Sequence, residues 1–228
     1  MPQPRQMIGR AVAAALKVWV RSQLDHVTEL ELVIDSGDGK LGRIRQVHLT
    51  AAAAVYQGIH LSHISVAAHH IEVNLKQVLR GKPVQLLQPV PIDLAVRLPA
   101  EDLQKSLSAP VLTVAVSQLL QTLLQSQLNP GDTALTVEQI HIEDERLILT
   151  TATSAERASK GILRAGLAIG APQQLCLDQL DWQWQHPAKT TRHLLEDYTI
   201  DLGPQVNLQS LSLSPVSIAC IGQITVQP

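Results

Sequence analysis

The sequence predicts an α+β fold that combines a strongly curved antiparallel β-sheet with a long apolar helix. One observation is that alternating apolar segments change parity. Ile59 and Leu61 share one face of a strand, whereas Ile64 and Val66 fall on the other. A β-bulge between them restores a single buried face and bends the strand. The other observation is the segment from Val111 to Leu128, which is strongly apolar at helical spacing and carries no charge.

The parity change recurs along the chain and predicts a sheet that curves strongly. Within the first long strand we expect bulges near Ser62-His63 and within Ala67 to His70. Three later segments show the same change: Leu135 and Val137 against Ile140 and Ile142, Leu175 and Leu177 against Leu180 and Trp182, and Val206 and Leu208 against Leu211 and Leu213.

The N-terminal segment predicts a helix over about residues 5–24. Basic residues flank an apolar stripe whose members recur at spacings of three and four residues: Ile8, Val12, Ala15, Leu16 and Trp19. Two interpretations remain open at this stage. The helix packs on the core, or its basic flank and Trp19 contact a membrane surface.

The middle of the chain predicts a strand followed directly by helices over about residues 100–128. Val90 to Leu98 alternates regularly, and Pro99 is followed by acidic residues that favour a helix start. Pro110 is placed to begin a second helix or to kink the first. The last hundred residues read mostly as strands. Since no charge run or glycine-serine linker divides the chain, we expect a single domain over 1–228.

Composition excludes some classes of function. The formal net charge of −2 gives no basic field, which argues against a nucleic acid partner. The N-terminus lacks an uninterrupted apolar region followed by a cleavage site, and no stretch reaches the length of a membrane span. We therefore expect a cytoplasmic protein that is at most peripheral to a membrane.

Catalytic and metal-binding patterns are missing from the sequence. His60 and His63, like the neighbours His69 and His70, face opposite sides of a regular strand and cannot chelate one ion. No nucleophile elbow, phosphate loop or HExxH motif occurs. We expect no enzyme activity, no catalytic residue, no metal and no cofactor.

The apolar excess of the central helix leaves two interpretations open. The helix is buried on two sides within the core, or part of it lines a cavity for an aliphatic ligand. The candidate cavity residues are Leu112, Val116, Leu119, Leu120 and Leu123.

The tryptophans leave a similar choice. Trp182 and Trp184 share one face of a strand and are either core residues or anchors at a membrane interface. Together with Trp19 they are the candidate membrane contacts.

Four short runs carry a family resemblance: AVYQGIHLS at 54–62, LRGKP at 79–83, LPAEDL at 98–103 and GQITV at 222–226. Taken together they resemble the LmeA-like phospholipid-binding family, and most of all its cyanobacterial branch. The resemblance implies a fold similar to the tubular lipid-binding domains, in which a strongly curved antiparallel sheet wraps around a long apolar helix. Arg80, Lys82 and Arg97 are the basic residues nearest these runs and are the candidates for meeting a lipid phosphate.

The leading hypothesis is a non-enzymatic phospholipid- or lipid-binding protein. Acyl chains would lie in an apolar groove or cavity between the central helix and the concave face of the sheet, in the service of lipid transfer or of membrane and envelope maintenance. The alternative is a protein-interaction module that docks on a membrane complex, with its apolar surfaces filled by its own core. The sequence leaves the lipid species and the oligomeric state open.

Overall fold

The computed structural model describes residues 17–18, 20–35, 42–74, 77, 80, 85–125, 135–153, 160–186 and 189–228. Within these residues the strands are β1 (Glu29–Asp35), β2 (Arg43–Tyr56), β3 (Ile59–Glu72), β4 (Val90–Pro99), β5 (Leu135–Glu143), β6 (Arg146–Thr153), β7 (Lys160–Ala171), β8 (Gln174–His186), β9 (Lys189–Leu194), β10 (Tyr198–Asp201), β11 (Val206–Ser214) and β12 (Ser217–Val226). The helices are α1 (Ala100–Ser106) and α2 (Pro110–Leu124).

The strands form two antiparallel sheets. The first sheet has the order β1-β2-β3-β4-β12-β11, so the C-terminal hairpin completes a sheet begun near the N-terminus. The second sheet has the order β10-β8-β7-β6-β5, and β9 pairs with the other end of β8. The predicted antiparallel pairing is confirmed. In place of the predicted α+β fold with one sheet, the described residues form two sheets and few helices.

Three of the predicted irregularities are confirmed by shifts of register. They lie in β5 between Val137 and Gln139, in β8 at Gln179, whose φ is 48°, and in β11 between Leu208 and Ser210. At each of them an extra residue moves the apolar side chains that follow back to the buried face. Parity changes in the sequence therefore located these bulges.

The hairpin of β2 and β3 has irregularities of a different kind. Pairing is interrupted between Ala53 and Ser62 and between Arg45 and His70, where Ala53 has a φ of 47° and His70 a φ of 54°. The register is the same on both sides of each interruption, so these are kinks without an inserted residue. They lie at the two places where the sequence predicted bulges.

Helix α1 connects the two sheets. It contacts β3 and β4 of the first sheet and β5 of the second. On one side Ser62 Oγ donates a hydrogen bond to Asp102 Oδ2. On the other side Gln104 Oε1 accepts from the backbone N–H of Ile140 at 2.8 Å, and Gln104 Nε2 donates to the carbonyl of Glu138 at 3.3 Å. Gln104 thus provides hydrogen-bond partners for backbone groups beside the bulge of β5.

The prediction that a sheet encloses a long apolar helix is wrong. Helix α2 packs beside β5, and its main contacts with other elements are with that strand. Leu120 and Leu124 are buried, whereas Val111 and Val114 on its other side are 51% and 55% exposed. Apolar residues around most of a helix indicate burial on several sides, but here the N-terminal half faces solvent.

Two of the predicted helical boundaries fall close to the observed ones. Central helices were expected over about 100–128, and α1 and α2 occupy 100–106 and 110–124, with Pro110 at the first turn of α2. Residues 20–23 are helical, within the helix expected over about 5–24, and most of that prediction lies outside the described residues.

The largest core lies against the second sheet. Its buried members, which we call the central cluster, come from α1, α2 and strands β5 to β8: Leu103, Leu120, Leu124, Ile140, Leu149, Leu163, Ala165, Leu177, Leu180 and Trp182. Leu98 of β4 and Ile218 of β12 pack against it from the first sheet. The apolar face of the second sheet is therefore covered by helices and by the end of the first sheet.

Candidate functional site

One face of the first sheet is apolar across all six strands. The strand register aligns three rows of side chains on this face: Leu30, Ala51, Ile64, Val96, Cys220 and Leu211; Leu32, Leu49, Val66, Leu94, Gly222 and Leu208; Ile34, Val47, Ala68, Ile92, Ile224 and Val206. Because directly opposed residues in antiparallel strands point to the same side, the rows form one continuous apolar face.

Two corners of this face are covered by small core clusters. Near β1 and β2, Val20, Leu24 and Val27 pack over Leu30 and Ala51. At another corner, Val73 and Leu86 pack with Val47, Ala68 and Val90. Both clusters use segments that flank the strands, so they cover the margins of the sheet.

The face is less well covered between these corners and the edge strand β11. Val66, Leu94, Val96, Leu208, Leu211 and Cys220 are all partly buried, and none belongs to a core cluster formed by the described residues. We call these six residues the central patch. An apolar surface of this kind is well suited to a flexible aliphatic ligand, because hydrocarbon contact needs area and no directed polar groups.

The opposite face of the same sheet is polar. His63, Asp93 and Arg97 alternate with the apolar rows and lie on this outer face, where His69 Nε2 is 3.9 Å from Asp93 Oδ2. Ile221, at 48% exposure, is an aliphatic exception on it. The sheet is thus amphipathic, and the two faces of one strand provide matched positions for mutagenesis.

Cys220 places a reactive group within the central patch. It lies opposite Val96 on one side and Leu211 on the other. Burial raises the pKa of the Cys220 thiol, because desolvation disfavours the thiolate. Cys176, the other free cysteine, pairs with Ala168 in the second sheet and is also partly buried.

Four of the five residues predicted to line a cavity on the central helix pack with the central cluster, and the fifth, Leu112, does not. Leu120 is 1% exposed and belongs to the central cluster, against which Val116, Leu119 and Leu123 also pack. Leu112 is half-buried one turn before Val116. The protein's own side chains therefore surround Leu120, which is the core interpretation that the sequence left open.

Of the predicted headgroup residues, Arg97 has a defined position in the first sheet. Arg97 is exposed and lies on the polar face of β4, opposite His63 and Ala219. Arg80 is exposed in the segment between β3 and β4, and Lys82 lies outside the described residues. The three remain candidates for contact with a phosphate.

Burial decides the role of one tryptophan. Trp182 is 1% exposed in the central cluster, and its ring stacks on that of Trp184 at 5.8 Å between centroids. Trp182 is accordingly a core residue in this fold. Trp184 is half-buried at the edge of the cluster, and Trp19 lies outside the described residues.

The motif around Gly58 has a structural role. Gln57 and Gly58 form the turn between β2 and β3 with φ values of 50° and 79°, as the tight turns of hairpins require. A Cβ at Gly58 would lie 3.0 Å from the Cβ of Ala109. The turn therefore fits closely against the start of α2, and the motif marks a junction of sheet and helix.

Among the described residues there is no cluster of three or more His, Cys, Asp or Glu side chains with metal-binding geometry. His48 and His69 meet edge to face at 6.3 Å on the polar face of the first sheet. The described part of the chain gives these histidines no metal-binding partner set.

Among the described residues, no single helix is long and apolar enough to cross a membrane, whereas α1 and α2 together meet those criteria of length and composition across a 90° bend. Comparison with curated proteins and with solved structures gives no significant match. Comparison with protein families matches residues 5–223 to the family described as LmeA-like phospholipid-binding. The chain, 228 residues long, therefore belongs to the LmeA-like phospholipid-binding family.

Proposed function

We propose that this protein binds phospholipid without chemical turnover and that the acyl chains lie along the apolar face of the first sheet. The observation that supports this proposal is the set of three uninterrupted apolar rows, whose central patch is only partly buried. Family membership supports lipid as the ligand. The position on the sheet is our inference from the register.

The energetics of such a site are favourable. Burying one methylene contributes about 0.8 kcal/mol, so eight methylenes contribute about 6 kcal/mol before ordering costs. The central patch offers aliphatic side chains and one thiol to a ligand, with no charged group among them. A linear acyl chain can adapt to such a surface better than a rigid ring system can.

The predicted surface of α2 is a second location for acyl contact. Leu112 is half-buried and lies outside the central cluster, in contrast to Leu120. If lipid binds at α2, Leu112 is the predicted cavity residue whose replacement perturbs the core least. This gives a variant that discriminates between the helix and the sheet as the binding site.

Polar substitution on the two faces of the first sheet tests the proposal. Leu94→Gln in the central patch is expected to reduce phospholipid uptake from vesicles at least about tenfold, because it places an amide against the acyl chains. Ile221→Gln on the polar face is the matched control and should bind as the unmodified protein does. Uptake is measured by native mass spectrometry after incubation with phosphatidylglycerol vesicles.

The outcomes of this experiment separate the sites. Loss of uptake in Leu112→Gln with normal uptake in Leu94→Gln moves the acyl site to α2. The absence of phospholipid uptake by the unmodified, folded protein contradicts lipid binding altogether.

Lipid transfer or maintenance of a membrane or envelope is the setting we propose for this binding. A partly open apolar face can load and release a lipid without unfolding, as a carrier requires. Peripheral contact with a membrane follows from the need to collect the lipid there. Faster movement of labelled phospholipid between two vesicle populations in the presence of the protein is the corresponding readout.

A protein-interaction module is the second candidate. Val111 and Val114 form an exposed aliphatic strip on α2, whereas Leu120 of the same helix is buried in the central cluster. A protein partner of a membrane complex would cover such a strip. Under this alternative, Val114→Gln abolishes docking and Leu94→Gln has no effect.

A further inference from the structure

A polar cavity of about 320 Å³ lies on the outward face of the second sheet. The register sets Ile148, Arg164 and Asp181 side by side on β6, β7 and β8, and Gln183 beside Arg192 on β8 and β9. These residues alternate with members of the central cluster, so they point away from the core. The volume is at the lower end of ligand pockets, which span about 300–1,000 Å³.

Arginines surround one buried carboxylate in this cavity. Asp181 is 1% exposed, and Arg192 Nε and Nη2 donate hydrogen bonds to its two oxygens at 2.9 and 2.8 Å. Arg164 Nη1 lies 3.7 Å from Asp181 Oδ2 and donates to Gln183 Oε1 at 3.2 Å. Asp181 therefore orients two guanidinium groups but can neutralise only one positive charge.

A third arginine carries a donor without a partner. Arg146 Nη2 donates to the carbonyl oxygen of Arg164 at 3.4 Å and to that of Gln179, so backbone groups fix its guanidinium. Arg146 Nε is buried and has no hydrogen-bond acceptor among the described residues. A buried N–H of this kind is unfavourable unless an oxygen accepts from it. Arg146 itself lines the cavity, so its guanidinium group is placed to donate to an oxyanion there.

Acidic residues at the rim set the kind of anion. Glu143 at the end of β5 and Asp144 in the turn that follows line the cavity. With Asp181 counted, the lining contains three arginines and three carboxylates. The lining is formally neutral and attracts no anion over long distances. Recognition must come from directed guanidinium donors, and an amine next to the bound anion would meet the rim carboxylates.

We infer that this arginine cavity binds the phosphate of a phosphate ester, such as the headgroup of a glycerophospholipid. Planar guanidinium groups match the oxygens of a phosphate in pairs. Leu194 lies opposite Asp181 on β9 and is 80% exposed, so an aliphatic side chain stands beside the cavity. This arrangement suits a phosphate at a lipid surface. The inference does not depend on acyl binding at the first sheet.

Soluble phosphate esters test the cavity alone, because they carry no acyl chain. We expect calorimetric titration of the full chain with glycerol phosphate and with glycerophosphoethanolamine to detect binding at one site. Arg146→Gln should weaken the binding of both esters at least about tenfold, because a charge-assisted hydrogen bond is lost. This substitution leaves the Asp181–Arg192 pair in place. Arg43→Gln, an exposed arginine of the first sheet, is the matched control.

Two further results identify the source of the phosphate and guard against misfolding. Leu194→Ser should weaken binding to phosphatidylethanolamine vesicles and leave glycerol phosphate binding unchanged if the ligand is a membrane headgroup. If Leu194→Ser changes neither, the cavity takes soluble phosphate esters. Thermal unfolding of each variant checks its fold, and Arg164→Gln replaces Arg146→Gln if the latter unfolds.

The inference is overturned if the folded, unmodified protein binds neither soluble ester, or if Arg146→Gln and Arg164→Gln bind both as tightly as the control. In either case the arginines serve only to hold β6, β7, β8 and β9 around Asp181. Lipid uptake at the first sheet would be unaffected by that outcome.

Discussion

The two sheets share the same alternation of apolar and polar residues, but their apolar faces are covered to different extents. In the second sheet Leu163, Leu180 and Trp182 are each 1% exposed beneath α1 and α2. In the first sheet Val66 and Leu94 occupy equivalent inward positions and remain partly exposed. The difference teaches that alternation specifies which face is apolar, whereas the packing of helices specifies which face is closed.

This contrast suggests a division of roles. The closed face of the second sheet provides most of the core, and its outward face carries the arginine cavity. The partly covered face of the first sheet contributes less to stability and retains area for a ligand. Stability and ligand binding should therefore respond to opposite sets of mutations.

Truncation of one leucine in each sheet should give the largest contrast. Leu163→Ala is expected to lower the free energy of unfolding by about 3–5 kcal/mol, because it leaves a cavity in the central cluster. Leu94→Ala should lower it by roughly 1 kcal/mol, because that side chain is already partly in water. Chemical denaturation measures both, and equal losses would contradict the proposed difference in closure.

A glycine in each sheet gives the next contrast. A Cβ at Gly222 would lie 2.8 Å from the carbonyl oxygen of Asn207, next to the bulge of β11, whereas a Cβ at Gly170 would have its nearest neighbour at 3.6 Å. Gly222→Ala should therefore destabilise the protein by about 1–3 kcal/mol. Gly170→Ala should change thermal stability little, and similar melting shifts for the two would refute this account of the β11 bulge.

The connection between the sheets gives the smallest effect. Gln104→Ala removes the acceptor for the N–H of Ile140 and is expected to cost about 1 kcal/mol, since that backbone group borders the bulge of β5. Gln118→Ala on the exposed side of α2 serves as the control. Hydrogen exchange should show faster exchange of Ile140 in the first variant only, and unchanged exchange would mean that α1 does not stabilise the bulge.

The sequence predicted the positions of irregularities within strands better than it predicted how the helices pack against those strands. The parity changes at Val137, Gln179 and Leu208 are local, since each strand must keep one face buried, and bulges lie there. The course of α2 is not local. Its apolar residues are compatible with enclosure, but the 90° turn after α1 leaves Val111 and Val114 in solvent.

The candidate sites were hidden for a related reason. The arginine cavity joins Arg146, Arg164 and Arg192, which lie on different strands, and only the register brings them together. In the sequence each is an ordinary polar position of an alternating strand. The central patch combines β3, β4, β11 and β12 in the same way, and its signal was the regular alternation of each strand.

Protection of Cys220 from alkylation tests the central claim most directly, with Cys176 as a control in the same chain. The thiolate is the reactive form and burial raises the pKa of Cys220, so the reaction is followed at alkaline pH. Phospholipid at about 100 times its Kd should leave about 1% of the binding sites unoccupied. The rate of Cys220 alkylation should then fall about 100-fold, and the rate of Cys176 alkylation should not change. Equal rates at Cys220 with and without bound phospholipid would contradict acyl binding on the first sheet.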